Sequence, residues 1–215
     1  MIARALVLLA CALAATGCIE TRFESPPGDN IETCDARWKG LWTGEDIRSS
    51  QDATAFFVDD ECRFEVLDQP ERGGPIKRLR VPVNFVHADR NDYLVVADTG
   101  LKGLVELKAP YGVSPTPEKS FFFARYSAHG ERIDIYKVDD KRVAKQIIDG
   151  KIDGTVSQTA NELHVYVRGD RARTLEILRH GGIFVDKSDM VLHRVNQTVD
   201  EFERTMLARQ KNAKP

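Results

Sequence analysis

Between Cys34 and Val138 the sequence consists of short apolar runs, several alternating apolar with polar residues, each ending in turn-forming residues. No other feature constrains the chain as strongly. A period of two puts successive side chains on opposite faces of a strand, and frequent punctuation leaves no room for helices. The segments 38–43, 54–59, 62–67, 77–87, 93–97, 103–108, 120–127 and 132–138 read as strands. Asp59-Asp60-Glu61, Arg90-Asn91-Asp92 and Ala128-His129-Gly130 read as tight hairpin connections. Pro82 cannot donate to a ladder, so the run 77–87 lies at a sheet edge or carries a bulge. The stretch 109–119, APYGVSPTPEK, holds three prolines and reads as an exposed loop. Strands at this spacing suggest a sandwich or a barrel.

After Val138 the pattern changes. Asp139 or Asp140 can cap a helix running to about Ile148, with Val143 and Ile147 on one face and Gly150 at its end. The segment 162–167 alternates, placing Leu163, Val165 and Val167 on one side of a strand. A second helix spans 170–179, a final strand 189–195 and a last helix 198–211. In that last helix Val199, Phe202 and Met206 share a stripe, which either packs on the domain or meets a partner. Ile133/Leu163, Tyr136/Tyr166 and Asp140/Asp170 align at one constant offset, from either a duplicated strand–helix unit or shared patterning. In the strand 120–126, SFFFARY, Phe121 and Phe123 face one way while Phe122 and Tyr126 face the other. Such a strand is central and covered on both faces, or it displays an aromatic strip. The expected fold is one α+β domain over 34–195, followed by a C-terminal helix and tail in 196–215. Its sheet is predominantly antiparallel, curled into a partial barrel or sandwich, with two packed helices.

Composition adds limits. The 215 residues are 42% hydrophobic and 30% charged, which excludes a disordered or low-complexity chain. With 31 Lys+Arg against 33 Asp+Glu, nucleic acid is not expected as a partner. Residues 1–17 stand apart as an export signal: Arg4, then the uncharged stretch 5–15, then small residues. An apolar run this short cannot cross a hydrocarbon core, which needs roughly 20 residues.

That run ends in Ala14-Ala15-Thr16-Gly17-Cys18, which resembles the lipobox of bacterial lipoproteins. The resemblance implies lipidation of Cys18, cleavage just before it and anchoring through acyl chains. Plain secretion, with cleavage after Ala12 or Ala14, is the alternative. Under the enterobacterial sorting rule, Ile19 in place of aspartate after the cysteine implies the periplasmic face of the outer membrane. Residues 18–33 then read as the lipidated cysteine and a flexible tether, the coil after it reaching about 20 Å. With Cys11 lost and Cys18 acylated, Cys34 and Cys62 remain as an even pair in an oxidising compartment, forming a disulfide or staying as two separate thiols.

Catalytic signatures are missing from the sequence: no GxSxG, HExxH, GxxxxGK[ST], GxGxxG or mature SxxK. His87, His129, His164, His180 and His193 are scattered, no two at i,i+4, and each reads as structural. Asp59-Asp60-Glu61 and the stretch 149–154 carry carboxylates, but neither has the spaced ligands of an EF-hand loop, and a turn or helix end explains each. No metal and no cofactor is expected.

Trp38-Lys39-Gly40-Leu41-Trp42 contains a Gly-x-Trp that resembles the lipocalin and calycin signature. The resemblance implies a barrel whose tryptophan closes one end and whose interior takes a small apolar ligand. Trp38, Gly40 and Trp42 are therefore the candidate ligand or barrel-end residues. The general plan, a tryptophan-bearing strand first and strand–helix units last, is similar to envelope lipoproteins of Gram-negative bacteria, a resemblance that implies no activity. The expected function is a non-catalytic, membrane-anchored binding or structural module, with an envelope protein as possible partner. The alternatives are a carrier of a small apolar ligand or lipid, and a periplasmic hydrolase.

Overall fold

The computed structural model describes residues 19–44, 54–68, 75–88, 90–102, 104, 116–159 and 162–212. The expected export signal, Cys18, most of the expected strand 103–108 and residues 109–115 of the proline-rich stretch lie outside the described residues.

Described residues form one twelve-stranded, largely antiparallel sheet. Its strands are β1 (Ile19–Phe23), β2 (Gly40–Gly44), β3 (Thr54–Val58), β4 (Phe64–Asp68), β5 (Lys77–Arg80), β6 (Val83–Ala88), β7 (Asn91–Ala97), β8 (Phe121–His129), β9 (Arg132–Lys137), β10 (Gly154–Gln158), β11 (Leu163–Val167) and β12 (Met190–Val195). The helices are α1 (Asp98–Leu101), α2 (Asp140–Ile148), α3 (Arg171–His180) and α4 (Val199–Asn212). This is an α+β fold dominated by its sheet.

From β2 to β9 each strand pairs with its chain neighbour, apart from the step between β5 and β6. β12 then pairs with β9 on one edge and β2 on the other. This hydrogen-bonded path has its ends at β5 and β6, with β1, β11 and β10 branching from β8, and the sheet is not closed by a ladder. Those two ends are nevertheless successive halves of one run, bent at Val81-Pro82. The last bond to β4 is Val81 N–H to Phe64 O (2.9 Å), and Pro82, which has no N–H, marks the break.

Three side-chain clusters fill this framework. The inside of the curl holds Trp38, Trp42, Phe56, Phe64, Phe85, Phe122 and Tyr126 among smaller apolar residues. Its rings touch one another: Trp38–Phe64 centroids are 5.7 Å apart, Phe56–Phe64 5.9 Å and Phe85–Tyr126 6.2 Å. A second cluster sets Phe23, Phe123, Val165 and Val167 beneath Val143 and Ala144 of α2 and Ile177 and Leu178 of α3. β8 is thus buried on both faces, as its sequence implied. The third cluster places Val199, Phe202 and Met206 of α4 on Leu41, Ala55 and Leu67. The last helix packs on the domain.

Two strands depart from the sequence reading. Residues 19–23, expected within a flexible tether, form β1, parallel to β11 from Ile19↔Leu163 to Phe23↔Val167 and joined to β8 at Phe23↔Phe121. Thr21, Arg22 and Phe23 are all buried. A leader with three consecutive buried side chains is part of the fold, so the 18–33 tether must be corrected. The other addition, β10, continues the sheet beyond β11. The two strand–helix units also occupy unlike places: β9 lies between β8 and β12, and β11 between β10 and β1. Their caps fall out of step, since Asp139 caps α2 and Asp170 caps α3.

A candidate site at the tryptophan-closed end

The strand directions gather the tight hairpins 58–64, 88–91 and 129–132 at one end of the curl. The longer connections 44–54, 68–77 and 97–121 leave from the other. The hairpin end is covered by residues 32–39. Glu32 exchanges two backbone hydrogen bonds with Phe85 (both 2.8 Å). Asp35 caps the 3-10 turn Ala36–Trp38 by accepting from Arg37 N–H, and this turn lays the Trp38 indole, 0% exposed, across the opening. Cys34 and Cys62 lie at disulfide distance, their Cα atoms 5.3 Å apart, which sets the segment beside the β3–β4 turn. Lys39 Nζ donates to Asp60 O (2.8 Å) in the same turn.

The Gly-x-Trp residues lie at the centre of this closure. Trp42, also 0% exposed, donates its indole N–H to Trp38 O at 2.7 Å. Arg194, its cross-strand partner on β12, stacks over the Trp42 ring at 4.3 Å. The same guanidinium donates to Lys39 O and to Arg37 O and pairs with Glu131 (3.1 Å). Gly40 is required twice over. Its φ of +109° is one that L side chains rarely adopt, and a Cβ there would lie 2.6 Å from Arg194 Nη1. The glycine admits the arginine that locks the tryptophan.

Outside Trp38 lies a polar constellation absent from the sequence reading. Arg37 donates to Asp35 (Nη2–Oδ2 2.7 Å) and to Asp92 (Nη1–Oδ2 2.7 Å), bridging 55 residues to β7. Its guanidinium also lies over the Tyr126 ring, 5.5 Å from the centroid. Tyr126 O–H donates to Asp35 from 91 residues away. His87 Nδ1 lies 2.6 Å from Asp92 Oδ1, which assigns the proton to that nitrogen. Its Nε2 faces Glu32 and Asp35, each at 3.9 Å.

Burial pushes the Asp35 carboxyl up, but hydrogen bonds from Arg37 and Tyr126 outweigh it and hold the group below the usual carboxylate range. Asp92 behaves alike: burial raises it, and Arg37 and His87 bring it lower. Burial, then the bond to Asp35, drives the Tyr126 phenol far above its ordinary value. Both carboxylates are therefore ionised and share Arg37, and the phenol is held neutral. Arg37, Asp35, Asp92 and Tyr126 satisfy one another through these bonds.

No protein-family model matches the chain, and no curated protein or solved structure matches it.

The other histidines do not converge. His164 and His193 sit on β11 and β12, which do not pair. His164 belongs to a second buried polar centre on β1, its Nε2 3.3 Å from Glu162 and its Nδ1 3.5 Å from Glu20. Arg22 joins that centre, paired with Glu20 (2.7 Å) and Asp98 (3.2 Å). His129 Nε2 lies 2.8 Å from Ser127 Oγ on the exposed end of β8. In the 59–61 turn, the Asp59 carboxylate accepts from the N–H groups of Glu61 (3.0 Å) and Arg63 (2.8 Å), so it serves as a turn cap. Asp149, ending α2, pairs with Lys145 at 2.8 Å. Among the described residues no three His, Cys, Asp or Glu side chains could hold a metal ion, and no helix is long and apolar enough to cross a membrane.

Proposed function

We propose that this chain is a lipid-anchored lipoprotein of the bacterial envelope, held through Cys18, whose folded part is a non-catalytic binding or structural module. The observation that carries this reading is the junction between anchor signal and fold. The lipobox-like Ala14-Ala15-Thr16-Gly17-Cys18 is followed at once by β1, beginning at Ile19. Cleavage before Cys18 leaves every described strand intact and puts the lipid directly on the domain. Attached acyl chains meet the two-signal requirement for stable anchoring without a spanning helix. Under the enterobacterial sorting rule, Ile19 after the cysteine supports residence at the periplasmic face of the outer membrane, and an envelope protein is the partner we propose.

The non-catalytic part of the reading rests on mutual satisfaction within the constellation at Trp38. Arg37 is hydrogen-bonded to both Asp35 and Asp92, and Tyr126 is raised out of nucleophile range. A hydrolase would need a base or nucleophile free to meet substrate, which in this constellation leaves His87 Nε2 alone, set against the Glu32 and Asp35 carboxylates at 3.9 Å. The carrier alternative is favoured by one observation, the up-and-down strand order closed at one end by Trp42 and Arg194. Against it stands an interior packed with aromatic rings.

Expression in a bacterial host of the full chain and of Cys18→Ala tests the proposal. The wild type is expected in the detergent phase on phase partitioning and the variant in the aqueous phase; equal partitioning into the aqueous phase contradicts it. Native mass spectrometry of the same wild-type sample decides the carrier question, because a carrier retains a bound lipid or small apolar molecule beyond its covalent acyl chains.

A further inference from the structure

We infer that the start of β11 and the end of β10 lie against the lipid headgroups, so that this rim of the sheet, with no spacer, is the membrane-facing surface. The inference rests on lipidation of Cys18 and adds the orientation that β1 imposes. Backbone pairing sets Ile19 opposite Leu163, and Leu163 opposite Gln158. Neighbouring strands are about 4.8 Å apart, which puts Leu163 about 5 Å and Gln158 about 10 Å from Ile19. Cys18, one trans peptide earlier, has its Cα about 3.8 Å from that of Ile19. The headgroup layer is itself roughly 5–8 Å thick on each side of the hydrocarbon. A diacylglyceryl thioether on Cys18 therefore holds Gln158 and Leu163 at the depth of that layer.

β1 cannot yield to let the domain drift away. Thr21, Arg22 and Phe23 are buried, and the Thr21 hydroxyl donates to Asp140 of α2 at 2.6 Å. β1 is also the strand that joins β11 to the rest of the sheet, between β11 and β8. Melting it to release a tether would also unpair β11 from the rest of the sheet. The chemistry of the rim suits the layer. Gln158 and Thr159 are uncharged hydrogen-bonding residues, and the Glu162 carboxylate is turned to His164 at 3.3 Å.

The test uses the full lipidated chain in phospholipid nanodiscs carrying a gadolinium-chelate headgroup, with amide relaxation enhancement read along β11. Leu163 and Gln158 are expected to be broadened several-fold more than Val167, about 13 Å farther along the strand, and more than Gly154. A flat or reversed gradient on an acylated protein overturns the apposition while leaving the anchor reading intact. An unacylated N-terminal mass on the same sample overturns both.

Discussion

The Thr21 hydroxyl donates to the Asp140 carboxylate at 2.6 Å, joining the first strand of the sheet to the first turn of α2 across 119 residues. Burial raises Asp140 to a pKa of about 6, with Thr21 and then Lys137 pulling the other way. Between about pH 4 and 6 the folded chain keeps a proton that the unfolded chain releases, so this carboxyl costs stability as pH rises through that window. Two pKa units correspond to about 3 kcal/mol at most. Asp140→Asn keeps an acceptor for Thr21 and removes the charge. The variant is expected to be more stable than the wild type by about 1–3 kcal/mol at pH 7.5, the difference vanishing below pH 4. Urea midpoints at both pH values check this; a less stable variant at pH 7.5 contradicts it.

The closure at Trp38 carries the opposite pH dependence. Asp35 and Asp92 are held below the ordinary carboxyl value of 3.8, so their contribution is present above about pH 4 and lost as pH falls further. Tyr126→Phe removes the donor to Asp35 and is expected to cost about 1–2 kcal/mol at pH 7. That cost should shrink below pH 4 as Asp35 is protonated. A cost that stays constant from pH 7 to pH 3 would assign it to packing instead.

Joining Cys34 to Cys62 closes a loop across a sequence separation of 28. Chain entropy alone makes this worth roughly 3.6 kcal/mol. The double variant Cys34→Ala, Cys62→Ala is expected to lose about 2–4 kcal/mol and to expose Trp38 to quenchers earlier in a urea titration. Unchanged stability on adding reductant to the wild type would show that the two thiols are not joined.

On α4, Phe202 is buried against Leu41, Ala55 and Leu67. Phe202→Ala is expected to cost about 3 kcal/mol and to loosen the helix without opening the curl. Limited proteolysis then cuts within 199–212 while the two tryptophans remain blue-shifted. Red-shifted emission at the same protease dose would mean that α4 supports the whole sheet.

Much of the framework was readable because it is local. β2 to β9 alternate visibly, and the hairpins between them are marked by their own turn residues, as with Asp59 capping the β3–β4 turn. Pro82 announced the bend that ends both edges of the path. β1 was overlooked although Ile19, Thr21 and Phe23 do alternate, because a strand that buries Thr21 and Arg22 lacks an apolar signature and Pro26-Pro27 follows it closely. β10, GTVSQ, has one aliphatic residue and owes its conformation to β11. The constellation at Trp38 carries no sequence signal, since Arg37, His87, Asp92 and Tyr126 meet only through the strand order. Arg194 reads as one more polar residue in a strand until β12 sets it opposite Trp42.

The mass of the N-terminal peptide of the mature protein, isolated from bacterial membranes, decides the matter most directly. A peptide beginning at Cys18 and carrying a diacylglyceryl group and an N-acyl chain is the predicted result. An unmodified peptide beginning at Leu13 or Ala15 would contradict it.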